Sequence, residues 1–502
     1  MTHAVAVTSA THAKLRAHLL RSDGQEDICF ALWRPSQGTN RLTAVVQEQI
    51  VLPLPGERHI HGNASFEPHY FLRAAELAAG AGCGLALLHS HPRGKGWQAL
   101  SHDDTAAEVG YAAQTLALTG LPLLGMTMAG SAHLGARLWK RAGALQYERF
   151  DCESVRIVGD QMEMTYNPEL RPLPPPNPMQ LRTVSAWGDR TQAELVNVRV
   201  GIIGLGSVGS IIAEALVRMG MTNLVLMDFD AVEEHNLDRL LNVTRRDIGR
   251  AKVSVVGPAL RDHATAAKVS ILELESSVVE PDGYRAALDC DVLFACVDRP
   301  WPRQVLNFLA YAHLIPVIDG GIAVDATGGT FHGAEWRAHV AAPGRRCMEC
   351  LGQVEPGLVE LERQGLLDDP RYIEGLPNDH PARRRENVFA FSTAAAGMQL
   401  TQFLQMFTAP LHRADIGAQT YHLTTGEIDR DTRSCRPTCA YSSALVFLKA
   451  DDSNLVVTGR HALAEKQRAD RTAPVALPQP TNHPTSRMRL IKLLRRFLAR
   501  SG

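Results

Sequence analysis

No stretch of this 502-residue chain approaches the ~18 consecutive apolar residues of a membrane-spanning helix. Neither sign of charge dominates: 52 Lys and Arg face 53 Asp and Glu, a formal net charge of −1. Composition therefore gives no whole-chain basis for binding nucleic acid or an anionic membrane surface. The segment from Met1 to Ala10 lacks a basic flank leading into a long apolar core, so no signal peptide is expected and a cytoplasmic location is. Cysteine is scarce. Nine in all exclude a disulfide-framed scaffold, and four of the nine form two close pairs at metal-ligand spacing.

The remainder is ordinary for a globular protein, 45% hydrophobic and 21% charged, and too long for one core, so about three units are expected. The most informative stretch is Gly201-Ile-Ile-Gly204-Leu-Gly206-Ser-Val-Gly209. It follows the apolar run Val198–Val200, which reads as a strand, and opens into residues 210–219, where Ile211, Ile212, Ala215, Leu216 and Met219 fall at helical spacing. Strand, three glycines and helix make a nucleotide-phosphate cradle: the glycines permit close backbone approach and the helix N-terminus offers free amides. Asp228 ends the next apolar run, 19 residues after Gly209, where a ribose-binding acid belongs. On these features a dinucleotide and ATP are equally good ligands. Asn236, Arg239, Lys252 and Asp298 separate them. Hydride transfer has no use for such a set, whereas attack on the α-phosphate of ATP needs cations for the developing charge and a carboxylate for magnesium.

These motifs, in this order over residues 181–445, resemble the ubiquitin-activating superfamily, which includes the bacterial adenylating enzymes of molybdopterin and thiamine synthesis. The resemblance implies a Rossmann-like adenylating domain in which Gly204, Gly206 and Gly209 line the phosphates. It implies further that Asp228 binds ribose, that Asn236, Arg239 and Lys252 contact phosphates, and that Asp298 binds magnesium. Arg182 sits where the family places an arginine donated across a homodimer. Leu240 departs from the family's usual Gln. Cys347, Cys350, Cys435 and Cys439 would close a tetrahedral, structural zinc site, although the second pair has three intervening residues where two are usual. Members of the full eukaryotic kind pass the activated acyl group to a cysteine between the zinc pairs. Here Cys350 and Cys435 enclose none. Either the adenylate goes directly to another protein or an unusual acceptor is used; Ser392 is then an ester-forming candidate or a small packing residue at the start of a helix over 393–406.

In the first 150 residues, helices are expected at 11–20 and 66–81, and strands at 27–33, 41–52 and 84–88. The last of these strands ends in His89-Ser-His91-Pro, and side chains two apart on a strand point the same way. Ser101-His-Asp-Asp104 follows as a helix N-cap and first turn. Two imidazoles, a carboxylate and an open fourth position describe a catalytic zinc site; surface histidines and a plain capping box are the bland alternative. The pattern over residues 10–145 resembles the JAB/MPN (JAMM) metalloprotease family, which removes or trims ubiquitin and ubiquitin-like proteins. The resemblance implies that His89, His91 and Asp104 hold zinc, that Ser101 stabilises the tetrahedral intermediate, and that a carboxylate shuttles the proton. It points to Glu26 for that base, with Asp27 as the neighbouring alternative. Nine residues separate His91 from Ser101 where seven are expected.

The expected fold class is α/β: an α-β-α metallopeptidase-like domain at 1–150, a proline-rich spacer at 151–180, the adenylating domain at 181–445 and a tail at 446–502. The spacer contains five prolines between Arg171 and Pro178. In the tail, residues 466–486 read as disordered, and 487–500 as a basic amphipathic helix for a partner, an anionic surface or the body itself. The expected function is twofold: adenylation of the C-terminal glycine of a ubiquitin-like β-grasp protein with ATP and magnesium, and zinc-dependent cleavage of the same protein. A conjugating-enzyme-like partner and a homodimer accompany that reading. The alternatives are sulfur-carrier activation and a non-catalytic scaffold.

Overall fold

The computed structural model describes residues 1–61, 63–144, 146–375, 386–452 and 458–472. The basic segment at 487–500 lies outside them. Two sheets organise the chain. The first uses β1 (Thr2–Thr8), β2 (Ile28–Gln37), β3 (Arg41–Val51), β6 (Gly84–His91), β7 (Leu123–Ala129), β8 (Leu134–Arg141), β9 (Tyr147–Asp151), β10 (Ser154–Val158) and β11 (Met162–Tyr166); a separate hairpin holds β4 (Arg58–His61) and β5 (Asn63–Phe66). Its order is β11-β10-β1-β3-β2-β6-β7-β8-β9. Alternation explains its layers. Ile28, Phe30 and Leu32 pack with Tyr70 and Phe71 of helix Pro68–Gly80 and Ala112 of helix His102–Thr119. Cys29 and Ala31 face the other way, in a core shared with Leu15 and Leu19 of helix Ser9–Leu19. The result is an α-β-α sandwich.

The second sheet contains β12 (Arg199–Ile203), β13 (Asn223–Met227), β14 (Ser270–Leu274), β15 (Val292–Ala295), β16 (Val317–Asp325), β17 (Gly333–Ala341), β18 (Ala418–His422) and β19 (Glu427–Asp431), in the order β14-β13-β12-β15-β16-β17-β18-β19. Strands from β14 to β16 pair parallel and the rest antiparallel. Ile202 packs with Ile212, Leu216, Val256 and Phe403 on one face, while Ile203 packs with Val305 and Leu309 on the other. Helices on both faces of a mostly parallel sheet are the doubly wound arrangement, which places ligands at the carboxyl ends of its strands.

Residues 154–166, expected within the spacer, form β10, which pairs with β1, and β11, which pairs with β10. Their apolar face reaches across the junction: Met162, Met164 and Tyr166 share a core with Ile202, Phe403 and Phe407. The longest part of the expected spacer without helix or strand is 167–177. Likewise residues 466–472, expected to be disordered, belong to helix Ala462–Thr472, and Val446 and Leu448 are buried.

The halves also meet through charge. Asp291 is fully buried and accepts from Arg41 Nη2 at 2.6 Å and Arg156 Nη1 at 3.1 Å; its second oxygen accepts from Arg199 N at 3.0 Å. Glu153 takes Arg199 Nη2 at 2.8 Å, with Arg41 at 3.6 Å and Arg171 at 4.0 Å. Cations outnumber carboxylates here. Arg156 offsets the excess by donating to the carbonyls of His313 and Leu314, the negative end of helix Pro300–Ala312.

Asp291→Ala leaves two buried guanidinium groups without their carboxylate and is expected to cost about 3–5 kcal/mol in urea unfolding. His313 bridges the halves, with Nδ1 2.7 Å from Ser36 Oγ and Nε2 2.8 Å from the Tyr284 hydroxyl. Burial pulls its pKa from 6.5 down to about 3. Below pH 6.5 the unfolded chain takes up a proton that the folded chain refuses until about pH 3, so stability falls on acidification through that window. The group is expected to cost about 2 kcal/mol of stability at pH 5 relative to pH 8, and His313→Gln should remove that share of the pH slope.

Candidate functional site

Three clusters of chemistry-bearing side chains stand out among the described residues, one in the first half and two in the second. In the first, β6 carries His89 and His91, and helix 102–119 carries Asp104 on its first turn. His89 Nε2 lies 3.2 Å from His91 Nε2 and 3.7 Å from Asp104 Oδ1, and His91 Nε2 lies 3.5 Å from Asp104 Oδ2. All three donors fall within 4.8 Å of one another. Burial, reinforced by Arg137, lowers the His89 pKa to about 3, so this imidazole is neutral and able to ligate. Contact with Asp104 raises that of His91, and the same contact holds the Asp104 carboxyl well below its usual range. Ser101 caps the helix: its Oγ accepts from Asp104 N at 3.1 Å, and Asp104 Oδ2 accepts from Ser101 N at 2.9 Å. The capping box thus fixes the carboxylate, and the Ser101 side chain helps to hold it ionised. This donor set fits a divalent ion such as zinc with one position open.

Glu26 and Asp27 are told apart by their surroundings. Ile28 pairs with His89 across antiparallel strands, and continuing that register sets Glu26 level with His91. Burial raises the Glu26 pKa; His91 pulls it down and Asp104 pushes it up, so Glu26 shares their field. Asp27 points away and is taken up by Arg58, by Arg21 at 3.4 Å and by His18 at 3.6 Å.

The second cluster sits at the carboxyl ends of β12, β13 and β15, in a cleft of about 860 Å³. Gly204 has φ +93°, and a Cβ there would meet Cys296 O at 2.5 Å. A Cβ on Gly209 would lie 1.9 Å from Gly204 O, so this glycine lets helix Ser207–Arg218 close on the strand. Gly204 and Gly206 line the cleft with Asp228, Asn236, Arg239, Lys252 and Asp298. Asp228 Oδ2 accepts from Leu205 N at 2.6 Å, locking the acid to the glycine loop. Lys252 Nζ lies 2.8 Å from Asp230 and 3.9 Å from Asp228. Burial opposes its charge, but those two carboxylates more than offset it and raise its pKa, keeping the ammonium charged. Asp298 is exposed to the cleft, which suits magnesium held by one carboxylate and substrate phosphates. Leu240 is buried against Val232 and Val255, the reason an apolar residue stands there.

Arg182 is exposed on helix Leu181–Trp187 and is not part of the cleft wall. Ser392 is fully buried inside helix Phe389–Thr408 and donates to Asn387 Oδ1 at 3.0 Å, so it is a packing residue. Asn387 in turn donates to Ser207 Oγ at 2.9 Å and lines the cleft, as do Arg303, Arg337, Leu463 and Gln467. No local pattern marks these five, because each reaches the cleft from a distant element. Farther along, Cys347, Cys350, Cys435 and Cys439 converge within 4.8 Å, with Cys347 Sγ 3.6 Å from Cys439 Sγ. Backbone amides of Cys347 and Cys350 point at Cys435 Sγ and Cys347 Sγ. Four sulfurs with amide donors fit a closed zinc site.

A model described as the ThiF family matches residues 179–440, more than half of the chain. Ubiquitin-like modifier-activating enzyme 5 of Drosophila erecta is 27% identical over 140 residues, 26% of this chain and 35% of that protein. Molybdopterin-synthase adenylyltransferase of Escherichia coli K12 is 31% identical over 131 residues, 26% of this chain and 51% of that protein. The chain spans about a third to a half of the length of these curated relatives. The structure of E. coli MccB with ATP covers 53% of this chain and 75% of its own, at 18% identity and a TM-score of 0.41.

Chain purified with zinc is expected to carry about two ions, read by plasma mass spectrometry. His91→Ala and Cys347→Ser should each remove one, and only Cys347→Ser should lower the thermal midpoint strongly, because its site ties 347–350 to 435–439. Two ions retained in both variants would rule the assignment out.

Proposed function

The chain belongs to the ThiF family, and on that premise we propose that its second half adenylates the C-terminal glycine of a ubiquitin-like β-grasp protein. The observation that carries this reading is the single cleft that collects the glycine loop, Asp228, Arg239, Lys252 and Asp298. The substrate carboxylate attacks the α-phosphate of ATP, forming the acyl adenylate and releasing pyrophosphate. Lys252 and Arg239 neutralise charge as it builds on the phosphates, and Asn236 positions them. Asp298 would hold magnesium, which would supply positive charge to the phosphates. Arg182, exposed on its helix, would act across a homodimer. With Ser392 buried and no cysteine between Cys350 and Cys435, the acyl group passes directly to a separate protein, such as a conjugating enzyme.

For the first half we propose peptide or isopeptide cleavage of the same protein. The support is the convergence of His89, His91 and Asp104 beside Glu26. These three would hold zinc, which supplies Lewis acidity toward water and the scissile carbonyl. Glu26 takes the proton from the attacking water and returns it to the leaving amine, and its raised pKa suits both roles. Ser101 donates its hydroxyl to the developing oxyanion. A second reading, sulfur-carrier activation, is favoured by the 31% identity to the molybdopterin-synthase adenylyltransferase.

ATP–pyrophosphate exchange with β-grasp proteins ending in glycine tests the first proposal. Lys252→Ala and Asp298→Ala should each lower exchange by about 10²-fold or more. Glu26→Gln should abolish cleavage of a β-grasp fusion while keeping its zinc. Mass spectrometry of the activated partner separates the readings: conjugates support protein modification, and a thiocarboxylate supports sulfur transfer.

A further inference from the structure

Helix Ala462–Thr472 begins past residue 440, where the family match ends, yet Leu463 and Gln467 line the nucleotide cleft beside Phe229, Ser276, Ser277 and Val278. Residues four apart share one helix face, so the two point together into the cleft. We infer that this helix is the base-side wall of the nucleotide site, with Leu463 and Gln467 contacting the base of ATP. This rests on the adenylation reading above, which sets phosphates at the glycine loop and ribose at Asp228.

Strand order decides where the base goes. The sheet runs β14-β13-β12-β15; the glycine loop follows β12, Asp298 follows β15 and Asp228 follows β13. A nucleotide lying across the carboxyl ends, with phosphates over β12 and β15 and ribose on Asp228, extends its base beyond the end of β14. Ser276–Val278 occupy that end, and the helix closes its far side. Leu463 offers apolar area to the face of a purine, and the Gln467 carboxamide offers a donor and an acceptor to its edge.

The helix is tied to both loops that border this position. Arg471 Nη2 donates to Phe229 O at 2.7 Å, next to Asp228, and also to Glu275. Arg468 Nη1 donates to Glu280 Oε2 at 2.9 Å, the oxygen that also accepts Ser277 N at 2.9 Å and Ser276 Oγ at 3.0 Å. His461, buried just before the helix, stands edge-on to Phe229 with ring centroids 5.0 Å apart. Movement of the helix therefore moves the base loops, and nucleotide binding and helix docking stabilise each other.

Isothermal titration of the full chain with Mg-ATP, and with pyrophosphate as a ligand that lacks the base, tests this. Gln467→Ala and Leu463→Ala should each weaken ATP binding roughly three- to tenfold and leave pyrophosphate binding unchanged. Unchanged ATP affinity in both variants, or equal weakening for ATP and pyrophosphate, overturns the inference while leaving the adenylation reading intact. Absence of ATP binding in the wild-type chain overturns both. Hydrogen exchange on the wild type gives a second measure: saturating ATP should slow amides at 462–472, and an unchanged rate there also overturns the inference.

Discussion

The carboxylate of Asp291 is the point on which the two halves turn. Arg41 and Arg156 approach it from β3 and β10, and Arg199 N approaches it from the start of β12. Apolar contacts across the same junction, such as Met164 and Tyr166 against the Ile202 core, tolerate sliding and repacking. Buried charges do not, because a displaced guanidinium keeps its desolvation cost and loses its partner. The cluster therefore supplies direction where the apolar core supplies adhesion. It also underlies the cleft of the second half. Asp291 and Arg199 stand at the amino ends of β15 and β12, and those strands lead into Asp298 and the glycine loop. At about 3.3 Å per residue, a strand of four or five residues separates the junction from the phosphate position by less than ~20 Å.

The features legible in the sequence are those whose partners lie close along the chain. The glycine loop, His89 with His91, the capping box at Ser101 and each cysteine pair are set by local geometry, and the folded chain keeps them as spaced. Cys347–Cys350 and Cys435–Cys439 lie far apart in sequence and converge in the fold, and this long-range pairing was legible only from their shared donor chemistry. Legibility failed where charge is buried. The prolines between Arg171 and Pro178 place the expected spacer at 151–180, but its first half is strand, and Arg156 there is paired with Asp291 inside the protein. Helix Ala462–Thr472 was missed for the same reason. Its residues are mostly polar, and Arg468 and Arg471 become structural only against Glu280 and Glu275 from another part of the chain.

Glu26 and Asp27 give the finest case. Sequence spacing leaves two adjacent carboxylates as equals, and strand geometry sends them to opposite sides. Asp27 meets Arg58, Arg21 and His18 at the start of β2, while Glu26 is left in the field of His91 and Asp104. Glu26 is partly desolvated, and its pKa is raised by burial and by Asp104 against the pull of His91, so the environment separates two carboxylates that residue type could not.

The same reasoning bears on the fate of an activated acyl group. An acceptor within the chain would need a nucleophile that can reach the α-phosphate position. Ser392 has spent its hydroxyl on Asn387, and Asn387 in turn holds Ser207 at the mouth of the glycine loop. Replacing that hydroxyl by an ester would require breaking the link that positions the loop beside the phosphates. A residue that supports the cradle in this way is unsuited to receive its product. Under the adenylation reading the acyl group then leaves on an incoming protein, and the cleft must admit that protein while helix Ala462–Thr472 keeps hold of the nucleotide's far end.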